Sequence, residues 1–135
     1  MLSCLSIRNV VLIEALDINF QDGLTVLTGE TGAGKSILLD ALGLALGSRA
    51  DFSLIRPNAD RASVTAEFDV VDTHPVWSVL EDAGIHYAET LILRRQLRSD
   101  GKSSAYINDE AVSMNLLRKT GDMLVEIQGQ FEGRG

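Results

Sequence analysis

The sequence predicts an α/β fold, a P-loop core with an added antiparallel β subdomain beside it. Three observations predict it. A short, β-branched apolar run, Leu24 to Thr28, leads into the glycine-rich stretch Gly29 to Ser36, and that stretch leads into a long amphipathic run. Two alternating segments precede the glycine-rich loop. A strand-rich segment follows the helix.

Each element has its own signal. Leu2 to Ile7 and Ala15 to Phe20 alternate apolar and polar residues, the pattern of half-buried strands. Gln21-Asp22-Gly23 supplies turn chemistry, and Leu24 to Thr28 reads as a buried central strand. Ile37, Leu38, Ala41, Leu42, Ala45 and Leu46 then recur at helical spacing from a start near Lys35, with Gly47 as the stop. Ser48 to Asp60 reads mostly as loop. Ala62 to Val70 alternates again and is expected to be a strand. Thr73 is placed to cap a short helix beginning near His74-Pro75 and ending at Gly84, with Val76, Val79, Leu80 and Trp77 as its buried side. Thr90 to Leu97 and Ser103 to Ile107 form a hairpin across Ser99-Asp100-Gly101, and Asn108-Asp109 turns the chain into Glu110 to Val112. Ser113 resembles an N-cap for a helix through Lys119. Met123 to Ile127 is a further apolar run, read as a strand that ends at Gln128.

Composition narrows the class. The chain has 135 residues, 45% hydrophobic and 23% charged, the balance of one compact domain. No apolar run is long enough to cross a bilayer, so no membrane contact is expected. Cys4 has no second cysteine for a disulfide or a zinc site, which makes the cytoplasm the expected compartment. The formal charge is −7, whereas nucleic-acid binders usually carry a basic surface. DNA contact is therefore expected mostly from outside this chain, with Arg94, Arg95, Arg98 and Lys102 as local basic spots.

The chemistry sits in Gly29-Glu30-Thr31-Gly32-Ala33-Gly34-Lys35-Ser36, which satisfies G-x-x-x-x-G-K-[ST] between a strand and a helix. Glycines let the backbone turn tightly and aim several N–H groups at phosphate oxygens. The helix adds the positive end of its dipole. Lys35 is suited to the β- and γ-phosphates of ATP, and the Ser36 hydroxyl to Mg2+. The competing reading is a chance match in a structural turn, but strand, loop and helix fall in the required order. Glu30 and Thr31 are less determined. The loop alone does not name a function, because kinases, GTPases, helicases and transporters share it.

The flanks are more specific. "LSIRNVVLIEALDINFQDGLTVLTGETGAGKSILLDALGLALGSRAD", "SLIRPNADRASVTAEF", "LILRRQLRSDGKSSAYIND" and "LLRKTGDMLVEIQGQFE" together resemble the N-terminal part of the RecN family, bacterial DNA-repair ATPases related to the SMC proteins. The likeness runs from Leu2 to about Glu132. It implies the N-terminal lobe of an ABC/SMC-type head, residues 1–135, running from Walker A to the Q-loop and truncated before a coiled coil. The signature motif, Walker B and the catalytic glutamate belong to a C-terminal half-head in that family, and no such motif follows Lys35 here. Implied partners are that C-terminal half-head, a second copy through head engagement, and DNA reached through the parent protein. The implied role is recombinational repair of double-strand breaks, in the cytoplasm and on the nucleoid. The expectation for the chain alone is ATP and Mg2+ binding without hydrolysis.

Other residues weigh less. By the family pattern Gln128 is the Q-loop glutamine that reaches Mg2+ or the attacking water. Gln130 is the runner-up, because RecN-like sequences often read "HGQHE" where this one has Gln128 to Glu132 with Phe131. Arg49 and Arg56 follow the loop helix, where an arginine near nucleotide and an ordinary salt bridge are equally open. Asn9 is either a turn residue or a contact to adenine or ribose. His74 and His86 read as surface or cap positions, Trp77 as a core anchor, and Cys4 as a small buried hydrophobe. Arg94 and Arg95 alternate faces, so only one can meet a given partner. A stand-alone P-loop kinase is the alternative enzyme; its phosphate-facing lid would have to be the hairpin Arg94 to Lys102. A non-hydrolysing nucleotide-binding interaction module is the alternative outside enzymes.

Overall fold

Alternation builds one face of a sheet that can be buried. In the computed structural model, which describes residues 2–20 and 32–128, six strands form a single antiparallel sheet. They are β1 (Leu2–Val10), β2 (Ile13–Asn19), β3 (Arg61–Asp69), β4 (Thr90–Arg98), β5 (Ser103–Ile107) and β6 (Glu110–Val112). Their spatial order is β2-β1-β3-β4-β5-β6. Leu5 and Ile7, Val64, Ala66 and Phe68, Leu91, Leu93 and Leu97, and Ala105 and Ile107 turn to the same buried side. The expected strand Leu24 to Thr28 lies outside the described residues.

Three helices complete the described part. Helix α1 (Gly32–Ala45) lies over β1, β3 and β4 and buries Leu38, Ala41, Leu42, Leu44 and Ala45. Helix α2 (Val76–Asp82) buries Val76, Trp77 and Leu80. Helix α3 (Met114–Gln128) packs on β5 and α2 and buries Leu117 and Leu124. The loop after α1 holds a single 3-10 turn, Phe52–Leu54, and is stitched to the β1–β2 turn. There Val11 N–H donates to the Leu54 carbonyl at 2.7 Å, and Arg56 N–H to the Asn9 carbonyl at 2.8 Å.

Turn chemistry works as the residue types require. Asn108 and Asp109 both take positive φ, 49° and 69°, which a two-residue hairpin of the primed type demands. The Asn108 side-chain oxygen also accepts from Ile92 N–H at 2.8 Å. Ser113 caps α3: Leu116 N–H donates to its hydroxyl at 3.1 Å. Ser113→Ala should therefore lower stability by about 1 kcal/mol, seen as a lower urea midpoint at unchanged m-value; an unchanged midpoint would refute the cap.

Three expectations are corrected. The helix after Ser113 does not stop at Lys119, and Met123 to Ile127 is its last turns rather than a strand. Leu117, Thr120, Gly121 and Leu124 are buried at steps of three, one and three, a helical stripe that an apolar run with a glycine before it disguises. Second, α1 begins at Gly32, ahead of Lys35. Third, α2 is not capped by Thr73, which is exposed. His74 Nδ1 accepts the Val76 N–H at 3.0 Å instead. Cys4 is only half-buried. Trp77 is the anchor expected: its indole N–H donates to the Val71 carbonyl at 3.0 Å, and Tyr87 meets it edge-on at 4.9 Å between centroids.

The His74 contact has a pH sign. Burial, above all, holds the imidazole's pKa below its ordinary value, and Nδ1 can accept the Val76 proton only while the ring is neutral. The unfolded chain binds the proton near pH 6.5 and the folded chain only lower. Stability from this group is complete above about pH 6.5 and is lost as pH falls through that window. Urea titrations from pH 7.5 to 5.5 should show a shallower loss for His74→Ala than for the parent; equal slopes would contradict it.

Candidate functional site: the phosphate loop and its helix

The first four N–H groups of an α-helix have no partner within the helix. Counted from the residue before the helix, they include those of Gly32, Ala33 and Gly34, in the second half of the phosphate-loop motif. Unpaired amides, the positive end of the dipole and two glycines suit this end to an anion. No acidic residue occupies the first turn to compete for it. Ser36 follows, its side chain exposed. Gly29, Glu30 and Thr31 lie outside the described residues. Backbone amides and a lysine are fitting donors for anionic phosphate oxygens, and a hydroxyl oxygen is a fitting ligand for Mg2+, a hard cation.

The other end of α1 is held by Arg118 and by Arg95, which was expected as a local basic spot and is instead buried. Arg95, on the buried face of β4, is 1% exposed. Its Nη1 donates to the carbonyls of Leu44 at 3.0 Å and Ser48 at 2.8 Å, and its Nε to the Ser103 hydroxyl at 2.9 Å. Arg118 Nε approaches the Gly47 carbonyl at 3.5 Å, the outer limit of a hydrogen bond. Burial, and secondarily the charge of Arg118, lowers the Arg95 pKa. The signal was present in the sequence, since Arg95 keeps the same alternation as Leu91, Leu93 and Leu97. Arg94 faces the opposite way, its guanidinium 4.3 Å from the centre of the Tyr106 ring.

The remaining candidates scatter. Asn9 is half-buried with φ 59° and serves the β1–β2 turn through its carbonyl, the turn role. Arg49 is exposed and Arg56 half-buried, and neither forms an ion pair with another described residue. Gln128 is the last residue of α3, so it leaves a helix and not a strand. Gln130 lies outside the described residues. In the hairpin that a kinase lid would require, Arg95 is turned inward, Arg94 is stacked on Tyr106, and Arg98 pairs with Asp100 at 3.1 Å.

Residues 4–131 match the family model described as AAA domain. The chain belongs to that family. Across nearly its whole length this AAA domain is similar to DNA repair protein RecN. Identity is 44% to the protein of Halalkalibacterium halodurans over 98% of this chain and 24% of the relative. It is 40% to that of Bacillus subtilis over 99% of this chain and 23% of the relative. The AAA domain thus spans about a quarter of the length of these curated relatives. Its fold is that of the SMC and RecF heads. An SMC ATPase solved in work on ATP-driven dimerization and DNA-stimulated activation superposes with a TM-score of 0.71 at 21% identity, over 90% of this chain and 78% of that one. The recombination mediator RecF, solved as its ATPrS form, gives a TM-score of 0.62 at 16% identity, over 87% of this chain and 29% of that one. The resemblance read from the flanks of the loop is therefore borne out, and so is the head-type fold.

Proposed function

We propose that this chain is the ATP-binding part of a RecN-like ATPase head acting in recombinational repair of DNA double-strand breaks. What carries the reading is the coincidence of the GETGAGKS motif with the free amides of the first turn of α1, in a chain similar throughout to RecN. ATP binds with its phosphates on Gly29 to Ser36. Lys35 neutralises the β- and γ-phosphates, and Ser36 offers its hydroxyl to Mg2+. A glutamine contact to Mg2+ or to the attacking water is assigned to Gln128 ahead of Gln130, on motif alone.

The rest of the machine is supplied from elsewhere. A C-terminal half-head brings the signature motif and the catalytic glutamate, a second copy closes over the nucleotide, and DNA is bound by the assembled protein. The setting is the cytoplasm, on the nucleoid. No helix among the described residues is long and apolar enough to cross a membrane. With the catalytic glutamate assigned to the C-terminal half-head, the expectation is that the 135-residue chain alone holds Mg-ATP without turning it over. Phosphate release from the purified chain should stay at background; robust turnover that Lys35→Ala abolishes would sink the assignment.

A further inference from the structure

A buried guanidinium needs compensation, and Arg95 has it in an unusual form. No described carboxylate pairs with it. Its counter-charge is the negative end of the α1 dipole, through the carbonyl of Leu44 and that of Ser48 just beyond the helix. Helix α1 carries no basic residue in its own last turn, so the cation comes from the sheet. Ser103 holds the third side of the guanidinium from the neighbouring strand. An apolar residue of similar volume would fill this position with a lower desolvation cost. The arginine therefore does something that packing alone does not.

What it does is set a position. The planar guanidinium ties β4, β5 and the end of α1 into one arrangement, with fixed donor directions. Gly47 and Gly121 let the turn after α1, Leu46-Gly47, approach the backbone of α3 closely, since a side chain on either glycine would run into backbone of the other segment. A helix of 14 residues is a rod of roughly 21 Å. Any axial slip at its C-terminal end reaches Gly32 to Ser36 nearly undiminished. Amide–phosphate hydrogen bonds tolerate only a few tenths of an ångström before they weaken.

We propose that Arg95 is a positioning residue for the phosphate loop, clamping the far end of α1 to the antiparallel sheet so that its first-turn amides stand where phosphate oxygens need them. The claim rests on the reading of Gly29 to Ser36 as the nucleotide site, but its geometric part can be tested without nucleotide. Arg95→Met keeps the length and removes the clamp; Arg95→Lys keeps the charge and loses the fork. Leu80→Ala, in α2, is a destabilised control that leaves the clamp intact.

In the ligand-free chain, amide exchange across Ser36 to Asp40 should be at least tenfold faster in Arg95→Met than in Leu80→Ala at matched global stability. Arg95→Lys should lie between Arg95→Met and the parent. Affinity for Mg-ATP should fall about tenfold in Arg95→Met, with little change in Leu80→Ala. If Arg95→Met does not fold, Arg95→Lys and Ser103→Ala decide by the same two readouts. Exchange across Ser36 to Asp40 equal to that of the control overturns the clamp, whatever nucleotide does. Parent protein that binds no ATP, with the exchange difference present, removes the nucleotide reading and leaves the clamp standing.

Discussion

Gly47→Ala should destabilise the chain by about 3 kcal/mol, the sum of two separable effects. Gly47 has φ +99°, a backbone region that costs an L-residue roughly 1–2 kcal/mol. Its added Cβ would also press on the backbone of Arg118 in α3, where the neighbour cannot rotate away as a flexible side chain would. Such overpacking costs about 1–3 kcal/mol. Gly101 separates the two terms, because its φ is +96° and nothing lies within 4 Å of an added Cβ. Gly101→Ala should lose only the conformational part, about 1 kcal/mol. Gly121→Ala supplies the other term: it is helical, and its Cβ would meet the Leu46 carbonyl. Urea unfolding of the three variants decides this. Equal losses at Gly47 and Gly101, or none at Gly121, would show that α3 does not meet the Leu46-Gly47 turn as described.

Lys35→Ala should weaken ATP binding by roughly 10- to 100-fold, the value of one charge-assisted contact of about 1.5–3 kcal/mol. The substitution itself suits a helix, since alanine is the best helix former, so the fold should survive. The loss should be larger for ATP and ADP than for AMP, because lysine meets the outer phosphates and not the base. Calorimetric titration of all three nucleotides into parent and variant checks this. A variant that binds ATP as the parent does would remove Lys35 from the site.

Much of this chain was legible because its strands alternate and its turns use residues with a mechanism. Asn108-Asp109 and Ser113 told their roles from chemistry alone, and β3, β4 and β5 fell within a residue or so of where alternation put them. The second half of α3 was misread for a physical reason. Gly121 resembles a helix stop in sequence, yet in space it is the point of closest approach to Leu46, and only tertiary contact distinguishes the two. Thr73 was misread as a cap because α2 is entered through Pro75, and the Val76 N–H is met by His74 Nδ1 from just before it. The phosphate motif was explicit in the sequence. Arg95 was not, because alternation says which side it faces but not that the carbonyls of a helix end wait there.

Central to all of this is that phosphate oxygens meet the amides at the start of α1. Amide exchange resolved by residue, with and without Mg-ATP, tests that contact directly. The amides of Gly32 to Gly34 have no partner within the helix and should exchange quickly in the free chain. On adding Mg-ATP, the amides of Gly29 to Ser36 should slow most, and in Lys35→Ala they should slow far less at the same nucleotide concentration. Saturable ATP binding that protects amides elsewhere and leaves Gly29 to Ser36 exchanging as before would contradict the account.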